Sequence, residues 1–316
     1  MGLVARLTRR FRYLDVRWSA GAGVIVRVVE RPGLRMSEAE QGALLSDLRT
    51  VVAKTLDKGL EYGVLTGDAE RLRQAIVTIL YDRASGAAIA FNALSVMDVE
   101  LRGRPIEALH LGLVMVDPGY RTQGLSWVLY GLTCILVFFR KGLRPVWISN
   151  VTQVPAIIGK VAEGFTSAFP NPFEPARRTF DHLSVAREIM RRHRRVFGVG
   201  PEAGFDEERF VITDAYTGGS DNLKKTFDAA PKHRDERANE LCRRELDYDR
   251  GDDFLQLARL DLATARGYLL REVPRGSLPA VLSQLAFALV AGVVLPLLHW
   301  LTPNEPLGDL RARGRA

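Results

Sequence analysis

The sequence predicts an α/β protein of the α+β type, with a mixed central sheet flanked by helices and a mainly helical C-terminal extension. Two observations carry this. The elements run strand, helices, three sequential strands, loop, helix, strand, helix, which is the order of a mixed sheet rather than of a doubly wound one. Past the Pro-rich segment FPNPFEPARR the strand signals thin out and basic or apolar helical patterns take over. The expected divisions are a core over 1–175, an extension over 176–276, an apolar helix over 277–302 and a basic tail over 303–316.

The first strand is AGVIVRVVER, β-branched and partly alternating. Ser37 and Glu40 then form a capping-box pattern that opens a helix to about Leu56. DAERLRQAIVTI reads as a second helix. It leads into ILYDRASGAAIAFNALSVMDVEL, two strands joined by a turn at Ala84-Ser85-Gly86. Arg102-Gly103-Arg104-Pro105 turns the chain into the strand EALHLGLVMV. The loop DPGYRTQGLS delivers it to an apolar helix from Leu125 to Phe139, which ends at Lys141-Gly142. RPVWIS is a further strand, and VPAIIGKVAEGF a short helix closed by Gly164. In the extension, AREIMRRHRR reads as a basic helix, RFVITDAY as a strand, and the region after residue 235 as helical up to the apolar run. No internal repeat is visible.

The chain has 316 residues and a formal charge of +7, which suits a phosphate-bearing partner or an anionic membrane. Nothing combines basic and aromatic residues in a pattern specific to nucleic acid, so no nucleic-acid partner is expected. Cys134 and Cys242 both fall in helical patterns, which indicates neither a disulfide framework nor a thiolate metal site. His110, His182, His193, His233 and His299 are scattered without ligand spacing, so no metal is expected. MGLVARLTRRFRYLD lacks the apolar stretch of a signal peptide, and this end is expected to stay on the side where it is made. LPAVLSQLAFALVAGVVLPLLHWL, residues 278–301, carries no formal charge and is long enough to span a bilayer, to lie in its interface, or to serve as a core or partner helix.

Chemistry concentrates in one loop. A strand ending at Val116, a turn with Arg121, Thr122, Gln123 and Gly124, and a helix starting at Leu125-Ser126 together place backbone N–H groups at a helix N-terminus. Such a nest binds phosphate. Gly124 permits close approach, and Arg121 adds a charge-assisted contact. Without a phosphate the same pattern is an ordinary tight connection.

The string VMVDPGYRTQGLS resembles the GNAT superfamily signature V-x-P-x-[YF]-R-x-x-G-x-[GA], matching at Val116, Pro118, Tyr120, Arg121 and Gly124, with Ser126 in place of Gly or Ala. QVPAIIGKVAEGF is similar to the second family signature at Ala156, Gly164 and Phe165. It departs at Gln153, where the family has Asn, and at Lys160, where the family has the Tyr that protonates the departing thiolate. The resemblance covers about residues 20–170. It implies a GNAT-like mixed sheet that splays between its fourth and fifth strands, with acyl-CoA as co-substrate in the gap, no permanently bound cofactor, and an amine attacking from the other side.

The resemblance further implies that the backbone near Val114 and Val116 polarises the thioester carbonyl. His110 is then the first candidate base, on the face that simple strand alternation shares with Gly112 and Val114. Glu107 is the second. Lys160 is a candidate acid or phosphate contact, against the alternative of a solvated helix-face lysine. The helix LSWVLYGLTCILVFF shows little polar face, so cover is expected from the extension, a long acyl chain or lipid. With the apolar run and RRHRR, this leads to the expected function. It is N-acyl transfer from acyl-CoA or acyl-carrier protein to the amine of a membrane lipid precursor, a sphingoid base in ceramide synthesis being one specific case, at the cytoplasmic face of a membrane. Acetylation of a soluble amine and a non-catalytic acyl-CoA-binding scaffold are the alternatives.

Overall fold

The computed structural model describes residues 14–19, 23–56, 60, 63–121, 125, 128–174, 178–273, 275, 278–290, 294, 297–298 and 301. Its strands are β1 (Asp15–Ser19), β2 (Val24–Glu30), β3 (Ala75–Asp82), β4 (Ala88–Leu101), β5 (Arg104–Val116), β6 (Val146–Thr152), β7 (Thr166–Phe169), β8 (Gly204–Asp206), β9 (Val211–Thr213) and β10 (Asp253–Leu260). They form one mixed sheet in the order β1-β2-β3-β4-β5-β6-β10-β9-β8, with β7 also on β10. Every pairing is antiparallel except β5 with β6.

The helices are α1 (Pro32–Arg35), α2 (Glu38–Ala53), α3 (Ala69–Gln74), α4 (Thr133–Arg140), α5 (Pro155–Gly164), α6 (Phe180–Arg192), α7 (Glu236–Glu245), α8 (Leu262–Arg271) and α9 (Leu278–Leu289). The predicted capping box is present: the Ser37 side chain accepts from the Glu40 N–H, and Glu40 accepts from the Ser37 N–H. On one face of the sheet, α2 packs Leu44, Leu48 and Val51 against Val77, Ile79 and Phe91, and α6 packs Val185 and Ile189 against Met97, Val99 and Leu257. On the other face, α4, α5, α8 and α9 cover Val26, Ile76, Leu94, Leu109 and Ile148.

Two expectations change here. Ala75–Ile79 belongs to strand β3 rather than to the helix before it, because its β-branched residues pair with β2 and β4 and are buried on both faces. The region after residue 235 is not helical throughout: β10 pairs with β6 over its whole length, so the extension contributes to the same sheet as the core. The apolar helix expected over 277–302 is described as Leu278–Leu289, with helical residues also at Val290, Val294, Leu297, Leu298 and Leu301, and the rest of that span lies outside the described residues; no helix among the described residues is long and apolar enough to cross a membrane.

The cover of α4 is also resolved. Residues Thr133 to Phe138 are all buried, and α8 and α9 bring Tyr268, Val281 and Leu285 into the same cluster. The extension therefore covers this helix, and its all-round apolar character requires neither lipid nor acyl chain.

Candidate active site

The parallel junction positions the site. β5 and β6 pair from Ala108↔Trp147 to Leu111↔Asn150, and there the pairing stops while β5 continues to Val116. At the same point β5 carries a bulge: Ala93 of β4 faces Leu113, but Ser95 faces His110, so two residues of β5, Leu111 and Gly112, lie opposite one of β4. A Cβ on Gly112 would sit 2.0 Å from the Ala93 carbonyl oxygen, so only glycine permits this approach. The bulge bends β5 away from β6 and leaves one edge of its last residues without a strand.

The extra residue also corrects the expected facing of side chains. By register His110 shares a face with Leu113, not with Val114. The packing agrees: His110 stacks beside Phe197 on the α6 side, Leu113 packs on the α2 side, and Val114 lies with Leu111 in the cluster under α4 and α5.

A cavity of about 270 Å³ occupies the gap. Its walls include His110, Leu113, Val196 and Phe197 from one face of the sheet and Val114, Ile157, Lys160 and Val161 from the other. The cavity therefore passes through the sheet between β5 and β6. Asn150, the last paired residue of β6, lines it with a buried Nδ2 that has no hydrogen-bond partner among the described residues. Asn92 lines it too: its Nδ2 donates to the Leu129 carbonyl in the π-helical turn Val128–Leu132, and its Oδ1 is buried without a partner among the described residues.

His110 is 4% exposed, with Nδ1 3.0 Å from Ser149 Oγ on β6. Burial alone pushes its pKa down to about 3, so the imidazole is neutral at pH 7. Glu107 lies elsewhere: it pairs with Arg31 (2.9 Å) and with Lys141, and borders a second concavity with Glu30, Asp98 and Arg140. The structure thus brings together His110, Lys160 and Val114 and leaves Glu107 outside. Val116 and Leu125 are half-buried against the α4 cluster, Arg121 is exposed, and Asp117 anchors the loop by accepting from Gly119 N–H and pairing with Lys54 at 2.8 Å. Lys54 holds the Asp117 carboxyl below its usual range. Thr122, Gln123, Gly124 and Ser126 lie outside the described residues.

Sequence reasoning missed the part of the wall built by the extension. Tyr216 and Asp253 line the cavity, with Tyr216 Oη 2.9 Å from Asp253 Oδ1. Gln153 is buried and 2.6 Å from Tyr216 Oη. With its amide turned, it accepts from Tyr216 and from the Lys225 N–H (2.8 Å) while donating to the Lys225 carbonyl (3.1 Å). Gln153 is thus spent on docking the extension. Within RRHRR, Arg194 donates to the carbonyls of Met190, Pro201 and Ala203, His193 bonds the Asp98 carbonyl, Arg191 and Arg192 pair with Glu188, and Arg195 is exposed.

No family model matches the chain, and no curated protein matches it. Among the solved structures similar over part of it are two toxins. One is a mutant of the AtaT toxin bound to the C-terminus of the antitoxin AtaR and acetyl-CoA, at 16% identity over 24% of this chain and 49% of its own length, with a TM-score of 0.20. The other is a bacterial toxin, at 15% identity over 49% of this chain and 80% of its own, with a TM-score of 0.24. The chain spans about half the length of the first. Likenesses of this extent leave fold and chemistry to rest on the strands and the cavity themselves.

Proposed function

We propose that this chain is an N-acyltransferase that uses an acyl thioester, acyl-CoA or acyl-carrier protein, as donor. The observation that carries this reading is the cavity that crosses the sheet at its parallel junction, because it lets two substrates meet from opposite sides. The donor enters on the α5 side, beside Val114, Ile157 and Lys160. The amine enters on the α6 side, beside His110 and Leu113. The free edge of β5 up to Val116 offers backbone groups to the thioester carbonyl, and Arg121 supplies a cation for the donor's phosphates.

The nitrogen attacks the carbonyl carbon, the C–N bond forms and the C–S bond breaks. The attacking nitrogen is most acidic once it is bonded to carbon, and only then is a neutral imidazole of low basicity a competent acceptor. His110 takes that proton, and the thiolate leaves protonated by Lys160 or water.

The acceptor we propose is an amine-bearing lipid, a sphingoid base being the specific candidate. Support comes from α9, which buries Val281 and Leu285 yet exposes Leu282, with Val290, Val294 and Leu297 exposed beyond it and Leu270 exposed on α8. Arg271 at the end of α8 and Arg275 after it are exposed, and a helix apolar on its outer side with cations beside it suits the face of an anionic bilayer.

The test is incubation of purified protein with palmitoyl-CoA or acetyl-CoA and sphinganine, reading free thiol and amide mass. Amine-dependent thiol release with an N-acyl product is expected. Thiol release that ignores the amine, or none with either donor, contradicts the reading. Flotation with anionic vesicles should fall on Leu282→Glu if α9 meets lipid, and stay unchanged if it does not.

A further inference from the structure

Asp253 is the only carboxylate among the described residues that line the cavity. It is 5% exposed, sits at the start of β10, and its side chain has one hydrogen-bond partner among them, Tyr216. No Lys or Arg among the described residues pairs with it, although its neighbour Asp252 is held by Arg250 at 2.7 Å. A buried carboxyl without a cation is costly unless it is neutral or a cationic ligand completes it.

The hydrogen bonds fit the neutral form. Tyr216 has one proton, and with Gln153 turned to satisfy Lys225 that proton goes to Gln153 Oε1. The 2.9 Å contact then needs a proton from Asp253. The groups near Asp253 are Tyr216 from the loop before α7, Cys242 on α7, Tyr248 after it, and Asp252 just before its strand; His110, Lys160 and Lys225 share the cavity. Lys225 is solvent-exposed. Burial, reinforced by Asp252, raises the Asp253 carboxyl well above its usual range.

We propose that Asp253, with Tyr216 beside it, is the subsite for the acceptor's primary amine. This rests on the acyl-transfer reading and specifies the acceptor as an ammonium-bearing molecule rather than an alcohol or thiol. Binding removes one proton from the pair formed by a neutral carboxyl and an ammonium. What remains is either a carboxylate holding an ammonium or a carboxylic acid beside a free amine, and the second form is the nucleophile. The proton lost goes to solvent, and no other bond changes.

The experiment is calorimetric titration of the full chain with dodecylamine and with dodecanol, in two buffers of different ionisation enthalpy at pH 7. Amine uptake should release about one proton per site, and alcohol uptake none. Asp253→Asn should abolish the release and weaken amine binding about 10- to 100-fold, while Tyr216→Phe weakens it less and keeps the release. Undiminished proton release in a folded Asp253→Asn protein, equal binding of amine and alcohol, or no amine binding would overturn the assignment. If Asp253→Asn does not fold, Asp253→Ser stands in: loss of the amine preference and of the proton release supports the proposal, and retention of both overturns it. Thiol release from acyl-CoA is read separately. A protein that takes up amine with proton release yet never cleaves a thioester keeps this subsite and refutes the acyl-transfer reading.

Discussion

Two concave regions flank β5, and they differ in how they use polar groups. Around Glu107, three cations and three carboxylates answer one another: Arg31 and Lys141 pair with Glu107, Arg140 pairs with Glu30, and Asp98 is exposed nearby. In the passage between β5 and β6 the walls are mostly apolar, and the polar groups are unmatched or held neutral: Asn150 Nδ2, Asn92 Oδ1, His110, Asp253. A saturated cluster fixes the sheet edge. An unsaturated one is completed by a ligand.

The largest expected effect breaks the passage itself. Gly112→Val should destabilise by about 3 kcal/mol or more, since its Cβ would meet backbone that cannot withdraw; urea denaturation measures it. Gly119, whose nearest contact is a side-chain oxygen at 3.5 Å, should accept Ala with little change in the same assay.

Next comes catalysis. His110→Ala should lower the turnover of acyl transfer by about 100-fold or more. Glu107→Gln should leave it within about threefold, because that carboxylate is already spent on its cations. Equal losses would erase the distinction between the two regions.

Proton linkage gives a third contrast, now within the passage. The folded-state pKa of His110 lies below the unfolded value, so the unfolded chain binds more protons between about pH 6.5 and 3. Its contribution is present above pH 6.5 and lost as pH falls, by up to ~1.4 kcal/mol per pH unit. Asp253 has the opposite sign: its carboxyl is raised, so its contribution is present below its unfolded pKa and declines as pH rises toward the folded one. Chemical denaturation across pH should show a shallower acid slope in His110→Gln and a gain at neutral pH in Asp253→Asn. The smallest effect is Ser149→Ala, which removes the partner of His110 Nδ1 and should cost about 1 kcal/mol in the same measurement.

The sequence made β4, β5 and the turn between them legible, because alternation and turn residues are local patterns. It also singled out His110 and Lys160, which line the passage, and Glu107, which does not: residue type and spacing carry no information about the cations Arg31 and Lys141 that come from distant segments. The bulge escaped because Gly112 reads as an ordinary strand glycine until Ala93 is placed against it. DFLQLARL escaped as a strand because Leu, Gln, Ala and Arg favour helix, and pairing with β6 overrides that preference. Tyr216 and Asp253 had no spacing signal at all; folding of the extension onto β6 unites them with a site centred over a hundred residues earlier.

The two-sided passage is tested most directly by blocking each side in turn and measuring acyl-CoA binding and amide formation in parallel. Ile157→Trp, on the α5 side, should abolish acyl-CoA binding, whereas Leu113→Trp, on the α6 side, should leave that binding intact and stop amide formation. Two folded variants that bind acyl-CoA and form amide as the parent does would contradict the account.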